Sequence, residues 1–227
     1  MKKCLFVLVF LSAVVSLSAQ ESKKLSLDTG MDLVSSYVWR GMYQTGASIQ
    51  PSVGLSACGF QLGAWGSTDF STTAKELDFT LSYEFSGFSV GVTDYWWNGE
   101  GVSFFKERSG HYWEGQIGYT FGEAFPLALS VNAMISGGGD KKADGDRYHS
   151  TYVAAGYPFQ VGGTDCEVGV GVSPWEGMYS EKFDVCSLSV KVSKGLSLST
   201  GRSLPVFAEL IFSPSNDNAF LVFGFSF

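Results

Sequence analysis

Seven carboxylates and two bases stand at spacings that would put them on one face of extended chain: Asp28, Asp32, Asp78, Glu84, Glu114, Glu167 and Glu209, with Arg40 and Lys191. The rule that sorts them is clearest at residues 76–85. There Glu76, Asp78, Thr80, Ser82 and Glu84 alternate with Leu77, Phe79, Leu81, Tyr83 and Phe85. A period of two sends alternate side chains to opposite faces of a strand, so one face is polar and the other apolar. Carboxylates that converge from several strands on an enclosed face would make a negative lining, which favours cations. The competing arrangement has these charges pair and hydrogen-bond into a polar plug.

Arg40 has two readings of its own. It could line a constriction with the acids. The preferred reading is that it clamps the first loop through a carboxylate or backbone carbonyls. Gly41 directly after it reads as a turn requirement. Gly63, Gly91, Gly118, Gly169, Gly171 and Gly224 share the inward parity, where small residues would keep a bore open.

Other chemistry has thin support. The histidines are His111 and His149, with Ser109 and Ser150 close by. Their parity leans toward the apolar face, and no nucleophile elbow or metal-type histidine pair surrounds them. The expectation is no enzyme and no cofactor. Asp140, Asp144 and Asp146 lie in a Gly-rich run without the EF-hand spacing, so a solvated loop is expected there.

The elements that would position these groups are ten-residue alternating segments broken by turn residues, the pattern of a transmembrane barrel. Leu25 to Arg40 opens the series. Others begin near Ile49, Phe60, Leu77, Phe88, Tyr112, Leu127, Thr151, Cys166, Phe183, Val206 and Ala219. The expected fold is all-β: a transmembrane antiparallel up-and-down β-barrel of twelve strands, ten being the alternative count, with both termini periplasmic. Turns should be short on the periplasmic side and long on the other. Lys194 to Leu204 breaks that alternation as a long connection where a short turn is expected.

Aromatic placement gives a second expectation. Trp39, Trp65, Trp96, Trp97 and Trp113 fall at outer strand ends; Phe60, Phe85, Phe88, Phe121, Phe159 and Phe227 fall at the opposite ends. Two such belts are what membrane interfaces select. Tyr43, Phe104, Phe105, Trp175 and Tyr179 fall in outer loops, where they could contact a partner.

The ends of the chain agree with this reading. Lys2 and Lys3, the apolar run from Cys4 to Val15 and Leu17-Ser18-Ala19 form a cleavable export signal over residues 1–19, leaving 20–227 as the barrel. The run is too short to span a bilayer as a helix. Phe227 closes the alternating series Leu221, Phe223, Phe225, which would pair with the first strand and leave no edge in lipid.

Removing residues 1–19 takes two lysines and no acid, so 13 basic residues face 22 acids and the mature charge is −9. Nucleic acid is therefore not an expected partner. Outer-membrane lipids are, along with the assembly machinery that would read the C-terminal strand. Of the remaining Cys58, Cys166 and Cys186 at most two could bridge, and three small buried residues are the simpler reading.

Ser36-Tyr37-Val38-Trp39-Arg40-Gly41, with Gln44-Thr45 and Gln50-Pro51, resembles the opening of the TorF-like porin family. The likeness continues through Gly59-Phe60, residues 63–67 and residues 76–79, about the first third of the mature chain. It implies an outer-membrane, porin-like protein, and a location more than an activity.

Overall fold

A half-apolar strand leaves edge N–H and C=O groups open until the sheet closes on itself. In the computed structural model, which describes residues 25–71, 75–98, 104–105, 110–197, 201 and 203–227, that closure is complete. The strands in chain order are β1 Ser26–Val34, β2 Tyr37–Trp39, β3 Met42–Thr45, β4 Ser48–Ala57, β5 Phe60–Asp69, β6 Lys75–Phe85 and β7 Phe88–Asn98. They continue with β8 His111–Thr120, β9 Ala128–Gly137, β10 Thr151–Val161, β11 Thr164–Ser173, β12 Asp184–Ser197, β13 Ser203–Ser213 and β14 Asn218–Ser226. All but β2 and β3 form a closed antiparallel barrel of twelve strands, each paired with its chain neighbour, and β14 returns to β1. Residues 1–19, expected to be an export signal, and Ser109 lie outside the described residues.

At one end the connections are short. Cys58-Gly59, Ser86-Gly87 and Gly162-Gly163 each have positive φ at both residues, the hairpin turn whose twist matches the strands. The Lys194–Leu204 interval also resolves into this pattern. The ladder runs on through Leu196↔Leu204 and Ser197↔Ser203, so the connection shrinks to residues 198–202. The polar composition of that stretch had hidden a strand pair.

The sheet separates two surfaces. Leu62, Leu81, Val90, Ile117, Leu188 and Leu221 point out and are exposed. Their neighbours point in and are polar or small. In one rung across three strands Gly63, Thr80 and Thr93 face the interior, and Thr80 Oγ1 and Thr93 Oγ1 lie 2.9 Å apart.

The seam between β1 and β14 is the shortest in the barrel, with Asp32↔Ser226, Leu33↔Phe225 and Val34↔Gly224 in register. Phe227 extends it. Its N–H donates to the Met31 carbonyl at 3.0 Å, and Met31 N–H donates to the Phe227 carbonyl at 3.2 Å. Deleting Phe227 removes both bonds and bares an edge on each side. Each bond contributes about 1 kcal/mol net, so the loss should be about 2 kcal/mol. The compact gel band of the folded barrel should give way to the unfolded form at a lower temperature; an unchanged transition would count against this seam.

The first predicted strand, Leu25 to Arg40, is two elements. β1 stops at Val34, and the chain then turns into the barrel as the β2–β3 hairpin. Both pieces alternate, so the pattern alone does not show the break.

Candidate functional site

The β2–β3 hairpin crosses the lumen. Its turn is Arg40-Gly41 between Trp39 and Met42, with φ of 53° and 80°. Such a turn requires φ > 0 at both central residues. Gly41 is required twice over, because a Cβ there would run into the carbonyl oxygen of Cys186 on β12.

Aromatic contacts seat the hairpin against one wall. Tyr37 lies 5.4 Å from Trp65 of β5, ring centre to ring centre. Trp39 lies 5.5 Å from Tyr95 and 5.3 Å from Trp97, both on β7. On the opposite side Met42 and Trp39 pack on a buried cluster of Tyr152, Tyr179 and Cys186. The hairpin thus bridges from β5–β7 to β10–β12.

Arg40 is the latch of this bridge. Its Nη1 donates to Glu114 Oε2 at 2.5 Å and its Nη2 to Glu114 Oε1 at 2.8 Å. Nη1 also donates to the Tyr179 hydroxyl. The guanidinium stands over the rings of Trp39, Tyr152 and Tyr179, at 4.5, 4.8 and 5.3 Å from their centres. Planar stacking and forked donation together are what arginine offers and lysine does not.

Glu114 is fully buried. A buried carboxylate is tolerable only when paired and fully hydrogen-bonded. It meets that requirement: besides Arg40 it accepts from Tyr95 at 3.0 Å, from Gln116 Nε2 at 3.2 Å and from Tyr179 at 3.4 Å. Unbroken alternation along β8, with Glu114 opposite Thr93 and Gln116 opposite Gly91, points it inward. Burial is the largest single effect on Arg40 and works against its charge, but the hydrogen bond to Glu114, the Glu114 charge and the Tyr179 and Tyr95 phenols together hold the guanidinium above its ordinary range. Burial raises the Tyr179 phenol, which stays neutral.

A second carboxylate pair faces the hairpin. Glu76 accepts from Trp97 Nε1 at 2.5 Å and from Tyr37. Asp78, one rung below, is buried, and its Oδ1 has no hydrogen-bond partner among the described residues.

Toward the short-turn end the lumen is hollow. One recess of about 290 Å³ is lined by Asp28, Gly54, Gln61, Gly63, Thr80 and Ser82. Another of about 290 Å³ lies across the barrel, with Ser130, Glu167, Gly169, Ser187 and Ser189 on its wall. Glu84 shares the inward parity of Asp78 and is exposed. Asp32 stands higher on β1, in register with Gln50. Glu167, Lys191 and Glu209 lie side by side on β11, β12 and β13, and Lys191 Nζ stands 4.3 Å from the Phe207 ring centre. The structure therefore joins Arg40 to Glu114, sets Glu167 and Glu209 on either side of Lys191, and leaves Asp28, Asp32, Asp78 and Glu84 spread over the rest of the inner wall.

Some expected placements change. Trp39, Trp65 and Trp97 are inside the barrel, not on an outer belt. Trp65 shares its rung with Asp78, and Trp97 with Glu76. Strand-end position suggested the interface; parity turns Trp65 and Trp97 inward, and Trp39 is inside because its hairpin folds into the lumen. Trp96 and Trp113 face outward; so do Phe60, Phe85, Phe88, Phe159 and Phe227 at the short-turn end, where Phe121 is exposed in its turn.

The glycines also divide. At Gly171 the freed space holds the Tyr152 ring, and at Gly224 the Phe207 ring, so neither widens a bore. Tyr179 is buried at 2% exposure, whereas Phe105 is 92% exposed. The lumen residues that sequence reasoning missed are Tyr37, Tyr95, Tyr152 and Tyr179. Tyr95 and Tyr152 alternate with outward residues of the wall and were open to the same parity rule; Tyr37 rides on the hairpin and Tyr179 on a loop, where that rule does not reach.

The histidines are committed to structure. His111 Nδ1 is 2.9 Å from both Asp94 carboxylate oxygens, and its Nε2 is 2.9 Å from the Phe104 carbonyl. His149 Nδ1 is 3.1 Å from the Met134 carbonyl. The Ser150 hydroxyl donates to Asp140 at 2.6 Å, not to a histidine. Asp140 also accepts from the backbone N–H groups of His149 and Ser150, which fixes the loop. Cys58, Cys166 and Cys186 are unbridged.

No protein-family model matches this chain, and no curated protein matches it. The Tyr-x-Trp-Arg-Gly segment forms the hairpin and its latch.

Proposed function

We propose that this chain is an outer-membrane, porin-like channel for small polar solutes, cation-preferring, with the β2–β3 hairpin as its constriction. The carrying observation is the division of the wall. The outside is apolar, and the inside is hydroxyl, glycine and carboxylate. An apolar exterior this extensive is unfavourable in water and suited to hydrocarbon. The export signal and the paired terminal Phe227 support the same placement.

Twelve strands lie between barrels filled by their own side chains and those that leave a wide channel. Here the half near the long loops is filled by the hairpin and the other half is not. Solute would enter the acidic recesses freely and meet its barrier at Arg40 and its aromatic surround. Cation preference would come from Asp28, Glu84 and Glu167, which face the open half.

The test is the reversal potential of the refolded protein in a planar bilayer under a salt gradient. Asp28→Asn, Glu84→Gln and Glu167→Gln together should move it from cation-selective to nearly neutral. Unchanged selectivity would contradict the assignment to these acids.

The buried latch favours a second reading, a closed barrel that acts through its outer loops. Phe105 and Trp175 remain exposed there for contact. Such a barrel would be silent in the same bilayer.

A further inference from the structure

We infer that the outer wall carries a binding site for a phosphorylated glycolipid, at the long-loop end between β8, β9 and the loop that follows β9. The inference rests on the outer-membrane placement proposed above, but not on conduction.

A β-bulge interrupts the β8–β9 ladder: Trp113 opposes Ser136 while Glu114 opposes Met134, so Ile135 is the extra residue, on β9. Beside it on the outer face lies a hollow of about 540 Å³, with Asp94, His111, Trp113, Ser136, Lys141 and Arg147 on its walls. Bulges commonly re-aim side chains next to functional sites.

Lys141 and Arg147 pair across the loop as a β-bridge, which sets both basic side chains at one lip. Arg147 Nη1 donates to the Gly137 carbonyl at 3.0 Å and is thereby positioned. Its other N–H groups have no protein partner among the described residues. Asp94 would oppose an anion, but its carboxylate is engaged by His111. An Arg fork beside a Lys point charge suits a phosphate monoester.

What lies below the hollow selects among anions. Trp113, Ile135, Ile117 and Val131 form an exposed apolar track down the outer wall. A free phosphate would use the basic lip alone. An amphiphile with a phosphorylated sugar head and acyl chains would use both parts, with its head at the level of the long loops and its chains along the track. Basic residues near a membrane surface attract anionic headgroups in the same way.

The probe is an acylated glucosamine disaccharide carrying two phosphates, compared with the same lipid without them. The barrel is inserted into neutral phosphatidylcholine vesicles containing one or the other, extracted in mild detergent, and its retained lipid counted by native mass spectrometry. The parent should retain the phosphorylated form. Lys141→Ala with Arg147→Ala should lower retention roughly thirtyfold, and so should removal of the phosphates. Lys141→Glu alone, at an exposed position, should lower it without disturbing the fold. Equal retention by the folded variants would overturn the site. Full displacement by an equal concentration of inorganic phosphate would overturn the lipid assignment. A chain that fails to enter vesicles overturns this inference and the channel together; one that enters and ignores the glycolipid overturns this inference alone.

Discussion

An Arg40→Ala barrel is expected to conduct more than the parent and to unfold at lower denaturant. Both effects follow from the same atoms. Arg40 is the one hairpin side chain that forms a charge pair with the barrel wall among the described residues, through two bonds to Glu114. Removing one partner of a buried pair typically costs about 3–5 kcal/mol, because the other charge is left uncompensated. Glu114 would keep Tyr95 and Gln116 as donors, so the cost should lie near the lower value, about 3 kcal/mol. The hairpin would also lose the guanidinium that spans Trp39, Tyr152 and Tyr179. Urea unfolding followed by tryptophan fluorescence reads the stability, and single-channel recording reads the opening.

Replacing both partners separates the two effects. Arg40→Met with Glu114→Leu leaves no buried charge, and such replacements are often neutral or stabilising. That variant should regain most of the stability. It should not regain the parent's conductance, because the forked anchor is gone. Conductance that tracked stability in every variant would mean that the hairpin sets the barrier only through global folding.

The second large effect is expected at Gly41. Alanine there would hold a left-handed conformation at φ of 80°, which costs an L-residue about 1–2 kcal/mol. Its Cβ would also collide with the backbone carbonyl of Cys186, a buried residue at the bulge of β12. The combined cost should exceed the strain alone, and the hairpin should fail to seat. Gly41→Ala should therefore resemble Arg40→Ala in the bilayer. Gly162 supplies the control. It also has positive φ, 57°, but nothing lies within 4 Å of a Cβ built there. Gly162→Ala should cost only the strain, about 1–2 kcal/mol, and leave conductance alone. Equal stability losses at the two glycines would contradict the seating argument.

The twelve strands were legible because each carries its own alternation and most are bounded by turn dipeptides. The run from Glu76 to Phe85 showed its face, its partner-facing acids and both its ends. The hairpin was not legible as a lumen element. Tyr37 to Trp39 alternates like any strand, and an inward turn after Val34 leaves no mark that local pattern can register. The role of Arg40 was nonetheless open to reading, since arginine followed by glycine at a turn points to a clamp. Its partner was not, because Glu114 lies 74 residues away and only barrel closure brings it near.

The tryptophans show two sequence signals in conflict. Trp97 lies at a strand end, which suggests an interface, and Trp65 was expected at one but stands mid-strand in β5; both are on inward parity, which suggests the lumen. Parity prevailed, because pairing with Asp78 and Glu76 fixes the face of each ring. The phenols of Tyr95 and Tyr179 would be poor outer-wall residues at their burial, yet they serve as donors to Glu114. A rule that weighs face before height along the strand would have placed Trp65, Trp97 and Tyr95, but not Tyr179, which lies in the loop after β11.

The measurement that bears most directly on the channel is single-channel recording of refolded parent and Arg40→Ala protein side by side, each verified as folded by its compact gel mobility. The account predicts small, cation-selective openings in the parent and larger ones in the variant. Silence from both folded proteins would contradict it.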